Sequence, residues 1–149
     1  MMKPVIQLER TGCGIASVAA IAGISYRKAA AVAATLGITA QDQRLWSETA
    51  HVRTLLAHFG MKTRRSQIPF SSWESLPEVA LLAIKWHLEK GRPCWHWVVY
   101  VRDDQGPRVL DPKKSLRSHV RTDFGRMKPR WFIPVINTPR RRTEGAASS

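Results

Sequence analysis

The sequence predicts an α+β domain in which N-terminal helices pack on a C-terminal antiparallel sheet. Helical apolar spacing is confined to residues 13–60, and runs rich in aromatic and β-branched residues lie in the second half. Helices and strands are therefore segregated, with no alternating strand–helix rhythm, which is the α+β pattern. Neither an internal repeat nor a Gly-rich phosphate loop is present.

The first element starts at Cys13, between Gly12 and Gly14, and runs through an almost wholly apolar stretch to Ala22. A helix apolar nearly all round is one walled in by protein. Gly23 stops it and Ser25 is placed to cap the next helix, where Ala29, Val32, Ala33 and Leu36 make one apolar stripe and Gly37 takes the C′ position. Residues 38–44 read as a polar connection. A third helix is predicted from near Ser47, with Val52, Leu55, Leu56 and Phe59 repeating the spacing and Gly60 ending it. Met61 to Ile68 alternates loosely as a short strand, and Pro69 to Pro77 forms a loop or single turn carrying Phe70 and Trp73.

Val79 to Trp86 reads equally as helix or buried strand, because periodicity alone cannot separate them. Cys94 to Val101 is a clear strand. Asp103 to Pro107 makes a turn, Arg108 to Asp111 returns as the partner strand closed by Pro112, and Arg130 to Val135 is a last strand in which Pro134 marks an edge or an end.

The chain of 149 residues is expected to form one domain over 1–136, large enough to bury a core, followed by a basic, disordered tail over 137–149 that contains Arg140-Arg141-Arg142. The N-terminus lacks the apolar region of a signal peptide, and no segment has the apolar length to span a bilayer. Two cysteines, Cys13 and Cys94, make no disulfide framework, so a reduced, cytoplasmic setting is the simpler expectation. The net charge of +13 is compatible with nucleic acid, an anionic membrane surface, an acidic partner or a basic host proteome. Nucleic-acid binding has no motif to support it: basic and aromatic residues are not interleaved as base-stacking surfaces require. Oligomeric state is not legible.

The chemistry starts from Cys13. A thiol in the first turn of a helix faces unpaired N–H groups and the positive end of the macrodipole, and both favour the nucleophilic thiolate. Such a nucleophile needs a base, and the base needs a group to orient its ring. His96 lies on the clear strand and Asp111 ends the strand after it. A turn centred at Asp103-Asp104 sets Asp111 opposite His96, whereas one at Gln105-Gly106 offsets it by about four residues. Either register lets the carboxylate orient the imidazole Nδ1. Gln7 is placed to offer its side-chain NH₂ to an oxyanion beside the Cys13 N–H.

Each of these residues has a plainer reading: a core cysteine, a half-buried strand histidine, an Asp-Pro turn, a surface glutamine. It is their order, Gln, Cys, His, Asp, with the cysteine on a helix and the others on paired strands, that points to a thiol hydrolase. Cys94 and His96 share a strand face, but no second ligand pair follows at a useful spacing, so neither metal nor cofactor is expected. His51, His58, His87 and His119 read as surface or packing residues, Trp95 and Trp97 as core, and Arg64-Arg65 and Lys113-Lys114 as solvated positions.

The blocks Gln7-x-x-x-x-Gly-Cys13-Gly-x-Ala, Leu81-Leu-Ala-Ile-Lys-Trp, Trp95-His96-Trp-Val-Val and Val109-Leu-Asp111-Pro112 resemble the papain-like cysteine peptidases that process bacteriocin precursors. The resemblance spans residues 4–135. It implies a papain-like fold with residues 81–86 as a strand, Gln7 as oxyanion donor, Cys13 as nucleophile, His96 as base and Asp111 as its orienting partner. Members of that family cut leader peptides after a Gly-Gly pair, a substrate choice that does not carry over to this chain. The expectation is hydrolysis of an amide bond in a peptide or protein with no cofactor. The alternatives are a deamidase or isopeptidase using the same triad, or a non-catalytic basic module that binds peptide or nucleic acid. That family usually carries an acidic residue before the cysteine, where this chain has Gly12, and usually forms part of an exporter whose membrane and ATPase segments this sequence lacks. All of this requires that folding bring Cys13 and His96 together at a groove solvent can reach.

Overall fold

The computed structural model describes residues 2–64 and 66–136, so the predicted tail lies outside the described residues. Helix α1, Cys13–Ala22, is buried almost all round and ends where Gly23 turns left-handed at φ 75°. The chain bends by 108° into α2, Tyr26–Thr35. Ser25 Oγ caps α2 by accepting the Lys28 N–H at 3.1 Å. Ala29 and Ala33 of its stripe are buried, but Leu36 falls outside the helix and is exposed. α3 spans Ala50–His58 and starts later than expected. The reason is a 3-10 turn over Gln43–Trp46, capped by Asp42 and closed by Ser47 Oγ donating to the Gln43 carbonyl at 3.0 Å. No single helix among the described residues is long and apolar enough to cross a membrane.

Seven antiparallel strands form the sheet: β1 Lys62–Thr63, β2 Ile68–Pro69, β3 Val79–Glu89, β4 Arg92–Asp103, β5 Gly106–Leu110, β6 Val120–Arg121 and β7 Trp131–Ile136. Their order is β1-β7-β3-β4-β5-β6, with β2 paired to β7. The ambiguous run from Val79 is thus the central strand β3, between β7 and β4. It reads as continuously apolar because both faces are covered. On one side Leu81, Ala83, Trp97, Val99 and Ile133 pack under the three helices. On the other, Leu82, Ile84, Val98, Tyr100 and Phe132 pack beneath Trp73, Phe124 and Met127. The β3–β4 hairpin turns at Lys90-Gly91 with φ 53° and 78°, both positive as a two-residue I′ turn requires. Trp95 and Trp97, predicted as core, meet each other and Trp131 edge-to-face.

Candidate active site

The site forms where β5 leaves β4. The last rung between them is Val99↔Leu110, and beyond it the outer edge of β4 has no strand partner. The start of α1 meets that edge: the Trp97 N–H, which a continuing β5 would have occupied, donates to Cys13 Sγ at 3.4 Å. Gly14 makes this approach possible. A Cβ there would lie 2.8 Å from Val52 Cγ1 and 3.2 Å from Trp97 Cδ1. Ser17 Oγ and the Trp97 indole secure the contact, donating to the Trp97 carbonyl at 3.4 Å and the Leu45 carbonyl at 2.8 Å. Gly12 precedes the helix and offers no side chain to cap its first N–H groups, which are left at the sulfur's end of α1.

The hairpin register falls between the two sequence-derived alternatives. Asp103 pairs with Gly106, so the turn centres on Asp104-Gln105. Asp111 lies one residue past the last rung, where the same register extended would set it opposite Val98, two residues from His96. Residues two apart on a strand share a face, so this diagonal still brings the side chains together. His96 Nε2 lies 2.7 Å from Asp111 Oδ1. The expectation that Asp111 holds Nδ1 is corrected: the diagonal delivers the carboxylate to Nε2, which leaves Nδ1 for the sulfur.

Asp111 is fully buried and well partnered. Arg121 Nη1 donates to Oδ2 at 2.9 Å and the Lys113 N–H to Oδ1 at 3.0 Å. Burial opposes its charge, yet the His96 hydrogen bond, the His96 charge and the other donors hold its pKa down at about 2. Burial likewise works against a charged His96, but hydrogen bonds to Asp111 and to Cys13 and the negative charge of both outweigh it, raising the pKa to about 9. The site is therefore built to carry an imidazolium beside the ionised Asp111. Arg121, shared between Asp111 and Asp123 (2.7 Å), was missed in the sequence. Nothing in a two-residue strand singles it out from the other arginines.

Gln7 departs from expectation. Its NH₂ group donates to the Glu9 and Arg10 carbonyls at 2.9 and 3.0 Å, while its Oε1 is buried with no partner. Two carbonyl neighbours require that orientation of the amide. The chain turns there, with the Gly12 N–H on the Glu9 carbonyl at 3.0 Å, and so wraps the amide that was expected to point at the reaction. Tyr26 donates its hydroxyl to Glu9 beside the same turn. A Cβ on Gly12 would overlap that hydroxyl, so any side chain before the cysteine requires Tyr26 to shift.

Gln7 and His96 line a cavity of about 310 Å³ with Trp46, Lys85 and Lys113. Cys13 is 0% exposed and does not line it, so the expected groove reaches the imidazole while the thiol stays covered. Lys113, predicted to be merely solvated, both faces this cavity and holds Asp111. His51 and His119 bond Asp42 and the Asp111 carbonyl, at 3.2 and 2.9 Å.

No family model matches the chain, and no curated protein matches it in sequence. Among solved structures, the fold is similar to that of a double glycine motif protease from an AMS/PCAT transporter, determined in complex with the leader peptide. The TM-score is 0.59 at 16% identity, over 93% of this chain and 93% of that one. At that identity the likeness establishes the fold, and it is the one the sequence resemblance implies.

Proposed function

We propose that this chain is a papain-like cysteine peptidase of the double-glycine leader type, hydrolysing an amide bond in a peptide substrate. The observation that carries this reading is His96, with Nε2 held by a buried, ionised Asp111 and Cys13 as its other hydrogen-bonding neighbour at the start of a buried helix. The shared fold with a protease solved on a leader peptide supports the substrate class. Both thiols are free, as a reducing cytoplasm would keep them.

In this mechanism His96 Nδ1 already carries the proton given up by the Cys13 thiol, and the sulfur attacks the scissile carbonyl. Asp111 stays ionised throughout and stabilises the imidazolium. The Cys13 backbone N–H faces the oxyanion, joined by the Gln7 NH₂ once it gives up one of its two carbonyls. His96 then passes its proton to the leaving amine as the C–N bond breaks, leaving a thioester on Cys13. Water, deprotonated by His96, hydrolyses the thioester to release the acid and restore the thiol. Because Cys13 is covered, substrate entry must open the cleft before attack.

The test is cleavage of synthetic peptides with a leader ending in Gly-Gly, followed by mass spectrometry. Scission after the Gly-Gly pair, reduced about 10⁴-fold or more in Cys13→Ala, is the expected result. Cleavage that persists in Cys13→Ala, or none on any such peptide, overturns it.

A further inference from the structure

The long β3–β4 hairpin carries a second cluster of reactive side chains that the peptidase mechanism does not use. The register of β3 on β4 slips between Ile84 and His87, where Lys85 sits at φ 56°. That bulge turns the strand so that His87 pairs directly across from Cys94. Glu89, two residues on, extends along the same face. One nitrogen, one carboxylate oxygen and one sulfur thus lie within 4.8 Å of one another. Cys94 Sγ is 3.1 Å from His87 Nε2, which is 3.2 Å from Glu89 Oε2.

The imidazole is oriented as a ligand. His87 Nδ1 donates its hydrogen to the Lys85 carbonyl at 2.8 Å, so the Nε2 lone pair faces the sulfur and the carboxylate. A backbone carbonyl on the distal nitrogen is the usual device for fixing a metal-bound histidine. The three donor atoms already meet through the His87–Glu89 and His87–Cys94 contacts, and a cation that replaces the shared protons would bind all three. Tetrahedral zinc sets sulfur and nitrogen about 3.6 Å apart, and nitrogen and oxygen about 3.4 Å apart. The sulfur–nitrogen and nitrogen–oxygen separations need to open by about 0.5 and about 0.2 Å to match. The fourth position faces outward, since the His87 and Glu89 side chains are 52% and 42% exposed. Arg10, whose Nη2 lies 3.5 Å from Glu89 Oε2 across the opening, is itself exposed and free to swing aside.

We propose that His87, Glu89 and Cys94 form a binding site for a thiophilic divalent cation, Zn²⁺ foremost, in the wall of the cleft that contains His96. The cation takes the Cys94 sulfur as thiolate, releasing the thiol proton to solvent, and water fills the fourth position. His87 and Glu89 line the same cavity as Gln7 and His96, while Glu89 and Cys94 line the neighbouring cavity of about 520 Å³. A bound cation therefore sits on the partition between the two, where it locks Glu89 away from Arg10 and narrows access to His96. No second ligand pair follows Cys94 and His96 along the chain. Strand pairing supplies it across the hairpin instead.

Co²⁺ is the probe, titrated into the full chain carrying Cys13→Ala, in which Cys94 is the only remaining thiol. A thiolate-to-cobalt charge-transfer band saturating at one equivalent and displaced by Zn²⁺ is expected. Cys94→Ser in that background abolishes the band, and His87→Ala or Glu89→Gln weakens apparent affinity at least tenfold. Absence of the band at millimolar Co²⁺, or a band indifferent to His87→Ala, overturns the proposal. The two His87 and Glu89 changes fall on exposed side chains, so a lost signal in them reports ligation rather than unfolding. Because the readout is the metal itself, the outcome is independent of whether the chain cleaves peptides.

Discussion

Replacing Asp111 with asparagine keeps the shape of the side chain and removes the charge on which the site depends. The His96 pKa rises from 6.5 to about 9, and this corresponds to about 3 kcal/mol of preferential stabilisation of the imidazolium. Burial acts in the opposite direction, so without the Asp111 charge the desolvation cost is met by Cys13 alone. The His96 pKa is expected to fall. Arg121, donating to Asp111 at 2.9 Å, would face a neutral amide, and the protein should lose about 3 kcal/mol of stability, as when one member of a buried charge pair is removed. Imidazole proton shifts followed by NMR from pH 4 to 10 give the first quantity, with His96→Gln identifying the resonance among the five histidines. Urea unfolding gives the second. A His96 that still titrates near 9 in Asp111→Asn would show that the carboxylate is not what charges the ring, and the account of the site would fail.

Arg121→Met separates support from chemistry. It is expected to cost about 2 kcal/mol in urea unfolding, because Asp111 Oδ2 loses its charged donor, while His96 continues to titrate at or above its native value. Gly12→Asp, which restores an acidic residue before the cysteine, should destabilise by about 1–3 kcal/mol because its Cβ collides with the Tyr26 hydroxyl. Tyr26→Phe in the same chain, which removes the hydroxyl that the Cβ meets, should recover part of that loss. Stability should also follow pH in a defined window. The His96 contribution is complete below pH 6.5 and disappears as pH rises through about 9, and that of Asp111 is present above pH 3.8 and lost as pH falls toward 2. Thermal unfolding across pH should therefore peak between these limits, and a curve flat from pH 6.5 to 9 would contradict the His96 assignment.

Helix ends were legible in the chain because their signals are local: Gly23 and Ser25 act within one turn of the helices they bound. The strand identity of residues 79–86 was not, because burial on both faces erases the alternation that would reveal it. The same applies to the site. Cys13, His96 and Asp111 announce themselves by residue type beside glycine, aromatic and proline neighbours. Arg121, and the slip that brings His87 across from Cys94, depend on pairings between distant segments that no window of sequence contains. Gln7 lines the cavity beside His96, but its amide turns to the Glu9 and Arg10 carbonyls, a property of the local backbone that side-chain pattern does not reveal.

The central claim is that Cys13 and His96 act as one nucleophilic unit. A peptidyl chloromethyl ketone ending in Gly-Gly alkylates an activated thiol with loss of chloride, and intact-mass and peptide-mapping analysis locates the thioether. The account predicts one adduct, on Cys13, formed at least a hundredfold more slowly in His96→Ala. Labelling of Cys94 at the same rate as Cys13, or a Cys13 rate unaffected by the loss of His96, would contradict it.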